Sequence, residues 1–73
     1  MNKLKTPEQI FILDNPDYEF FVVDTSLLEI QSGWSYREDA QDMIKELKSP
    51  QHPEHSKYYR VWSRVYTQRF FNK

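Results

Sequence analysis

Five aromatic and basic residues near the C-terminal end recur at every second position and form the pattern with the clearest binding chemistry. They are Tyr58, Arg60, Trp62, Arg64 and Tyr66. Because alternate residues of a β-strand project from the same face, a strand here would present all five side chains together. Aromatic rings stack on nucleic-acid bases and arginines bind phosphates. Tyr, Trp and Arg also dominate the hot spots of protein–protein interfaces.

Three interpretations of these five residues remain open from the sequence. In the first, the rings pack beneath the N-terminal helix and the arginines pair with carboxylates of the same chain, so the role is structural. In the second, the face binds another protein. In the third it binds nucleic acid, which the pI of about 6.1 argues against. Between the two binding roles, we favour the protein partner.

The charges of the chain are unevenly distributed. Residues 1–56 contain all eleven Asp and Glu residues, whereas residues 57–73 contain five Lys and Arg residues and no acid. An asymmetry of this kind predicts that the basic end meets a negative surface, either on another molecule or on the acidic part of the same chain.

Two other groups of residues have side chains that occur in metal or acid–base sites. His52, Glu54 and His55 lie in a segment broken by prolines, which does not hold ligands in a fixed geometry, so we predict no metal site. Four acids share the polar face of a predicted helix, where we expect them to be solvated. They are Glu38, Asp39, Asp42 and Glu46.

The composition excludes several classes of protein. Gly33 is the only glycine and there is no cysteine, so a phosphate-binding glycine loop and a disulfide or cysteine-zinc framework are absent from the sequence. We therefore predict that the protein is not an enzyme and uses no cofactor. No apolar stretch approaches the roughly 20 residues that span a bilayer, and no signal peptide is recognisable, so we predict a cytoplasmic protein.

An amphipathic helix over residues 36–48 is the clearest element. Its apolar residues recur at helical spacing, and Ser35 followed by Glu38 predicts a capping box at its start. Pro50 ends the helix. The apolar stripe consists of Tyr36, Ala40, Met43, Ile44 and Leu47.

Shorter elements flank this helix. Thr6, Pro7 and Gln9 predict the capped start of a short helix, which Asn15 before Pro16 ends. Residues 19–24 predict a strand with little exposed surface, and residues 28–34 a second strand that forms a hairpin with it. In the second strand, Leu28, Ile30, Ser32 and Trp34 would share one face, and Gly33 would mark a bulge or bend.

The third strand is predicted over residues 58–64, and residues 64–71 fit either a strand or a helical turn. The predicted fold is α+β, with the helix at 36–48 packed on a small three-stranded sheet. At 73 residues, the chain predicts a single domain over residues 1–73, with residues 1–5 and 72–73 frayed and 49–56 a loop.

Three segments of the chain resemble a class of short uncharacterised proteins found in phages and bacteria. The segments are Phe21-Val22-Val23-Asp24-Thr25, then Ile30-Gln31-Ser32-Gly33-Trp34-Ser35-Tyr36-Arg37-Glu38-Asp39-Ala40-Gln41-Asp42, then Tyr59-Arg60-Val61-Trp62-Ser63-Arg64. The resemblance covers roughly residues 20–64 and implies the order strand, strand, helix, strand. It implies no activity.

These observations predict a small interaction module that binds another protein through its C-terminal aromatic and basic face, as a regulator or accessory factor. A nucleic-acid-binding accessory protein that uses the same face is the alternative. Because a chain of this length buries only a thin core, we also predict a protein partner or self-association, such as a homodimer.

Overall fold

A computed structural model describes residues 5–72, which contain three helices and three strands. In chain order they are α1 (Pro7–Asp14), β1 (Phe20–Asp24), β2 (Glu29–Trp34), α2 (Arg37–Leu47), β3 (Tyr59–Ser63) and α3 (Arg64–Phe71). The predicted α+β class is confirmed, with the two predicted hairpin strands, the α2 helix and the third strand in place. The fraying predicted for residues 1–4 and 73 lies outside the described residues.

The strands form one antiparallel sheet in the order β2-β1-β3, so β1 is the central strand. Phe21, Val22 and Val23 of β1 are fully buried. The sheet is covered on both faces, which explains why β1 is a continuous apolar run rather than an alternating one. β2 and β3 are the two edges of the sheet.

Each face of the sheet has its own hydrophobic cluster. On the first face, α2 contributes Ala40 and Leu47, which pack with Val22 and Tyr59. On the second face, α1 and α3 cover Phe21 and Val23; partly buried side chains complete this cluster. They include Phe11, Tyr18, Ile30, Trp62 and Phe71.

A β-bulge in β2 divides its apolar side chains between the two faces. Val22 pairs with Ser32, but Val23 pairs with Ile30, so Gln31 is an extra residue in β2. Because side chains alternate along a strand, one extra residue moves Ile30 to the face opposite Trp34. The prediction that Ile30 and Trp34 share a face is therefore wrong.

Gly33 allows close packing beneath an aromatic ring. A Cβ atom at this position would lie 2.1 Å from Cδ2 of Tyr18, whose ring packs against Phe11 and Phe21. The glycine that was predicted to mark a bulge or bend thus lies beyond the bulge, at a position where only a hydrogen atom fits beneath Tyr18.

The helix starts differ from each other in how they are capped. At α1 the predicted capping box is confirmed, because the Gln9 N–H donates to Thr6 Oγ1 at 3.2 Å and the Thr6 N–H donates to Gln9 Oε1 at 3.0 Å. At α2 the predicted box is wrong. Tyr36 is the N-cap and makes no side-chain cap bond, while Ser35 Oγ donates to the carbonyl of Asp17 at 3.1 Å. Tyr36 is also 67% exposed, rather than part of the apolar stripe.

Residues 64–71, for which the sequence allowed either a strand or a helical turn, form the helix α3. Ser63 caps it, since its Oγ accepts from the Tyr66 N–H at 3.3 Å. Thr67 is fully buried and its hydroxyl donates to the carbonyl of Ser63 at 2.6 Å. α3 lies beside α1, where the side-chain amide of Gln9 donates to the carbonyl of Phe71.

Candidate interaction surface

The five predicted site residues do not lie on one strand face. Tyr58 precedes β3, Arg60 and Trp62 belong to β3, and Arg64 and Tyr66 belong to α3. The chain changes from strand to helix at Arg64, so the alternation that would have aligned all five side chains stops there. The prediction of a single five-residue strand face is wrong.

Arg64 points inward and binds the end of α1. Its guanidinium donates to the carbonyl oxygens of Ile12 at 2.9 Å, Asn15 at 3.0 Å and Tyr18 at 2.8 Å. The last carbonyls of a helix have no partner within the helix, and a cation there also complements the helix dipole. Arg64 therefore has a structural role in joining α1 to the start of α3.

The ring of Tyr66 packs against the ring of Trp62, although Tyr66 belongs to α3 and Trp62 to β3. Their ring centroids are 4.8 Å apart in an edge-to-face arrangement. The ring of Trp62 also meets Phe70 at 5.0 Å and Phe71 at 6.3 Å. We call Trp62, Tyr66, Phe70 and Phe71 the aromatic cluster. Tyr66 is 55% exposed, so the cluster reaches the surface beside β3.

The free edge of β3 carries main-chain groups that β1 does not bind. The Thr25 N–H donates to the carbonyl of Tyr58 and the Arg64 N–H to that of Glu19. In an antiparallel ladder such bonded positions alternate with outward-facing ones. Tyr59, Val61 and Ser63 therefore direct their N–H and C=O groups away from β1.

Arg60 lies along this free edge. Its Nη1 donates to the carbonyl of Tyr59 at 2.8 Å and to that of Lys57 at 3.2 Å. A charged side chain on an exposed edge hinders pairing with an arbitrary strand. Arg60 is exposed, so its guanidinium is also accessible to a ligand.

A groove of about 310 Å³ runs between α2 and β3. Its lining combines the apolar residues Ile44 and Val61 and the Tyr59 ring with three basic residues, and no acidic residue is among the residues that line it. The basic residues are Lys45, Lys48 and, at the strand edge, Arg60. We call this cleft the basic groove. The sequence alone did not indicate this groove, although Gln41, Lys45 and Lys48 lie on one flank of a predicted helix at a spacing that brings them together.

An acidic cleft of about 210 Å³ lies near the hairpin turn, on the α2 face of the sheet. Asp24, Glu29 and Glu54 line it together with Tyr59. Burial raises the pKa of the Tyr59 hydroxyl, and the negative charges of Asp24, Glu54 and Glu29 raise it further. The hydroxyl therefore stays protonated at neutral pH.

Asp24 holds the hairpin turn through its carboxylate. Its Oδ1 accepts from the Ser26 hydroxyl at 2.6 Å, from the Ser26 N–H at 2.9 Å and from the Leu27 N–H at 3.3 Å. The hydroxyl of Ser26 is the main cause of a lowered pKa at Asp24; burial opposes it, and the two N–H groups add to it. The carboxylate is engaged in an Asx turn rather than in chemistry.

The residues considered for a metal site have local structural partners. The Glu54 N–H donates to Nδ1 of His52, and Nδ1 of His55 lies 3.0 Å from the carbonyl of Leu47 at the end of α2. Among residues 5–72, no group of three His, Cys, Asp or Glu side chains has an arrangement that could hold a metal ion. The four acids on the polar face of α2 are exposed, as predicted.

A wide and shallow cleft of about 580 Å³ lies beside β2. Tyr18, Trp34 and Asp39 are among its mixed lining. Its chemistry is less uniform than that of the basic groove, which combines apolar residues with charge of one sign.

Comparison of the chain with protein-family models, with curated proteins and with solved structures finds no significant match. Within the described part of the chain, none of the helices combines the length and apolar character that a membrane crossing requires.

Proposed function

We propose that this protein is a small non-enzymatic module that binds another protein at the β3 edge, through Arg60, Trp62 and Tyr66. The observation that carries the proposal is the exposed Tyr66 ring, held by Trp62 beside a strand edge with unpaired main-chain groups. We further propose that it acts as a regulator or accessory factor in the cytoplasm.

The chemistry of this surface suits a protein partner. Tyr66 contacts Trp62 and therefore loses little conformational freedom when a partner covers it. Tyr, Trp and Arg are the residue types enriched at interface hot spots. Of the five predicted residues, Arg64 is engaged in the fold, so the proposed site uses the exposed Arg60 and Tyr66 together with Trp62, which contacts Tyr66. Tyr58, which is 46% exposed, lies just before β3.

Nucleic acid is the second candidate, because Lys57, Arg60 and Arg69 are exposed in the same part of the chain as Tyr66. The geometry of the aromatic cluster disfavours it. Tyr66 and Phe70 both pack against the ring of Trp62, which leaves less of the tryptophan ring free to stack on a base. A phosphate-driven complex would also weaken steeply with salt.

A capture experiment with matched tyrosine variants tests the proposal. The full chain is immobilised and exposed to extract of its native host, and bound proteins are quantified by mass spectrometry before and after nuclease treatment. Tyr66→Ala removes the proposed anchor. Tyr36→Ala is the control, because Tyr36, at 67% exposed, is at least as accessible as Tyr66 and lies at the start of α2 beside the cleft at the other edge strand.

We expect a specific protein to be retained by the native chain and by Tyr36→Ala, to be lost with Tyr66→Ala, and to resist nuclease. Loss with both variants, or retention by both, would refute the assignment of this surface. Capture that disappears with nuclease or falls steeply with salt would favour the nucleic-acid alternative.

A further inference from the structure

We infer that the free edge of β3 and the basic groove accept an extended acidic segment of the protein partner, which joins the sheet as a fourth strand. The inference deepens the proposed function, on which it rests. The acidic side chains of the partner would lie on the α2 side of β3, whereas the aromatic cluster lies on the α3 side.

Main-chain groups for strand addition are present at the β3 edge. The pairing with β1 leaves Val61 with both its N–H and its C=O directed outward, and leaves the N–H groups of Tyr59 and Ser63 directed outward as well. The carbonyl of Ser63 is engaged by the Thr67 hydroxyl at the start of α3, which ends the available edge there. Peptides recognised by strand addition bind through such main-chain groups.

The groove determines which side chains the added strand can carry. Alternate side chains of the incoming strand point to the α2 face, where Ile44 and Val61 offer apolar contact and Lys45 and Lys48 offer positive charge. A segment with acidic and aliphatic side chains matches both features. A basic segment would meet like charges there, which is costly at an interface.

Arg60 makes the edge selective for such a segment. Its guanidinium donates a hydrogen bond to the carbonyl of Tyr59, and an incoming strand must break this bond to use the carbonyl. A strand without acidic side chains offers the guanidinium no stronger acceptor in return. A carboxylate on the incoming strand offers the guanidinium a charged acceptor, which forms a stronger hydrogen bond than a main-chain carbonyl does. The carbonyl of Tyr59 then becomes free to accept from the partner.

A second copy of this chain fits the groove less well. Antiparallel pairing of two β3 edges about a two-fold axis would bring the Lys45, Lys48 and Arg60 groups of both copies to one seam. Like charges placed so closely oppose association. The partner is therefore an acidic chain rather than a second copy.

The probe for this inference is a short peptide in which every second residue is glutamate or valine in turn and the residues between them are threonine, so that one face of the strand carries both acidic and aliphatic side chains. Its control has lysine in place of each glutamate. Binding is followed by fluorescence anisotropy and by NMR of the ¹⁵N-labelled full chain. We expect the acidic peptide to shift and protect the amides of Tyr59, Val61 and Ser63, and the basic peptide to cause no shift.

Two charge-reversal variants provide the matched comparison. Lys45→Glu changes the groove, whereas Lys5→Glu makes the same change in net charge near the cleft between α1 and α3, on the opposite face of the sheet. We expect Lys45→Glu to weaken binding of the acidic peptide by about tenfold or more and Lys5→Glu to leave it nearly unchanged. Tyr66→Ala should bind the peptide normally.

Absence of amide shifts, equal binding of the two peptides, or equal effects of the two Lys→Glu variants would overturn the inference. If the peptide fails while Tyr66-dependent capture persists, the inference falls and the proposed function stands. If the peptide binds and capture does not depend on Tyr66, the proposed aromatic site falls and the groove stands. Concentration-dependent dimerisation that protects the Val61 amide without peptide would identify a second copy as the occupant and overturn the inference.

Discussion

Arg64 and Ile12 are joined across 52 positions of sequence by a hydrogen bond of 2.9 Å from the arginine Nη2 to the isoleucine carbonyl. Two further carbonyls, those of Asn15 and Tyr18, accept from Nη1 of the same guanidinium. The arginine thus adds a charged donor to main-chain carbonyls at and beyond the end of α1, where Ile12 also accepts from the Asn15 N–H at 3.4 Å and Asn15 from the Tyr18 N–H at 3.2 Å.

Replacement of this arginine should destabilise the fold. We expect Arg64→Met to lower the free energy of unfolding by about 2 to 3 kcal/mol, because three carbonyls lose a charged donor. Arg69→Met, a matched change at an exposed position of the same helix, should stay within about 0.5 kcal/mol of the native chain. Urea unfolding followed by circular dichroism measures both, and similar midpoints for the two variants would contradict the structural role of Arg64.

The contact between Gly33 and Tyr18 predicts a steric cost for any side chain at position 33. We expect Gly33→Ala to lower the free energy of unfolding by about 1 to 3 kcal/mol, because the added Cβ would overlap a ring that is packed against Phe11 and Phe21. In the double variant with Tyr18→Ala the obstructing ring is gone, so the two losses should be less than additive in a double-mutant cycle. Simple additivity would show that the ring is not the obstacle.

Leu28 has a left-handed backbone conformation, with φ of 57°, at the end of the hairpin turn. Glycine adopts this conformation without the clash that costs an L-residue roughly 1 to 2 kcal/mol. We therefore expect Leu28→Gly to raise the free energy of unfolding by about 0.5 to 1 kcal/mol. Leu27→Gly, at the preceding exposed leucine, which has no positive φ, should lower it by a similar amount. The same chemical denaturation measures both, and a loss of stability in both variants would exclude relief of strain at Leu28.

Asp24 should make the stability of the protein depend on acid pH. Its pKa is lowered in the folded state chiefly by the hydrogen bond from the Ser26 hydroxyl, so folding favours the carboxylate. The stabilisation is fully present above the ordinary pKa of 3.8 and is lost as the pH falls through the lower folded value. In Asp24→Asn, the loss of stability between neutral and strongly acid pH should be smaller than in the native chain, as measured by urea midpoints. An unchanged loss of stability would assign the dependence to other carboxyl groups.

The sequence by itself determined the elements whose signals are local. The Thr6 and Gln9 capping box, the apolar run at Phe21 to Val23 and the helical spacing of Ala40, Ile44 and Leu47 each depend on residues within a few positions of one another. These patterns were sufficient for the α+β class and for the order of the first five elements.

Only the tertiary structure decided how these elements meet and what the β3 edge exposes. The bulge at Gln31 places Ile30 on the face of β2 opposite Trp34. The Arg64 side chain binds a carbonyl at the end of α1 instead of joining the predicted strand face. The basic groove needed Lys45 on α2 to lie beside Val61 on β3. Each of these features arises from contacts between distant segments, which compete with local preference and which spacing along the chain does not encode.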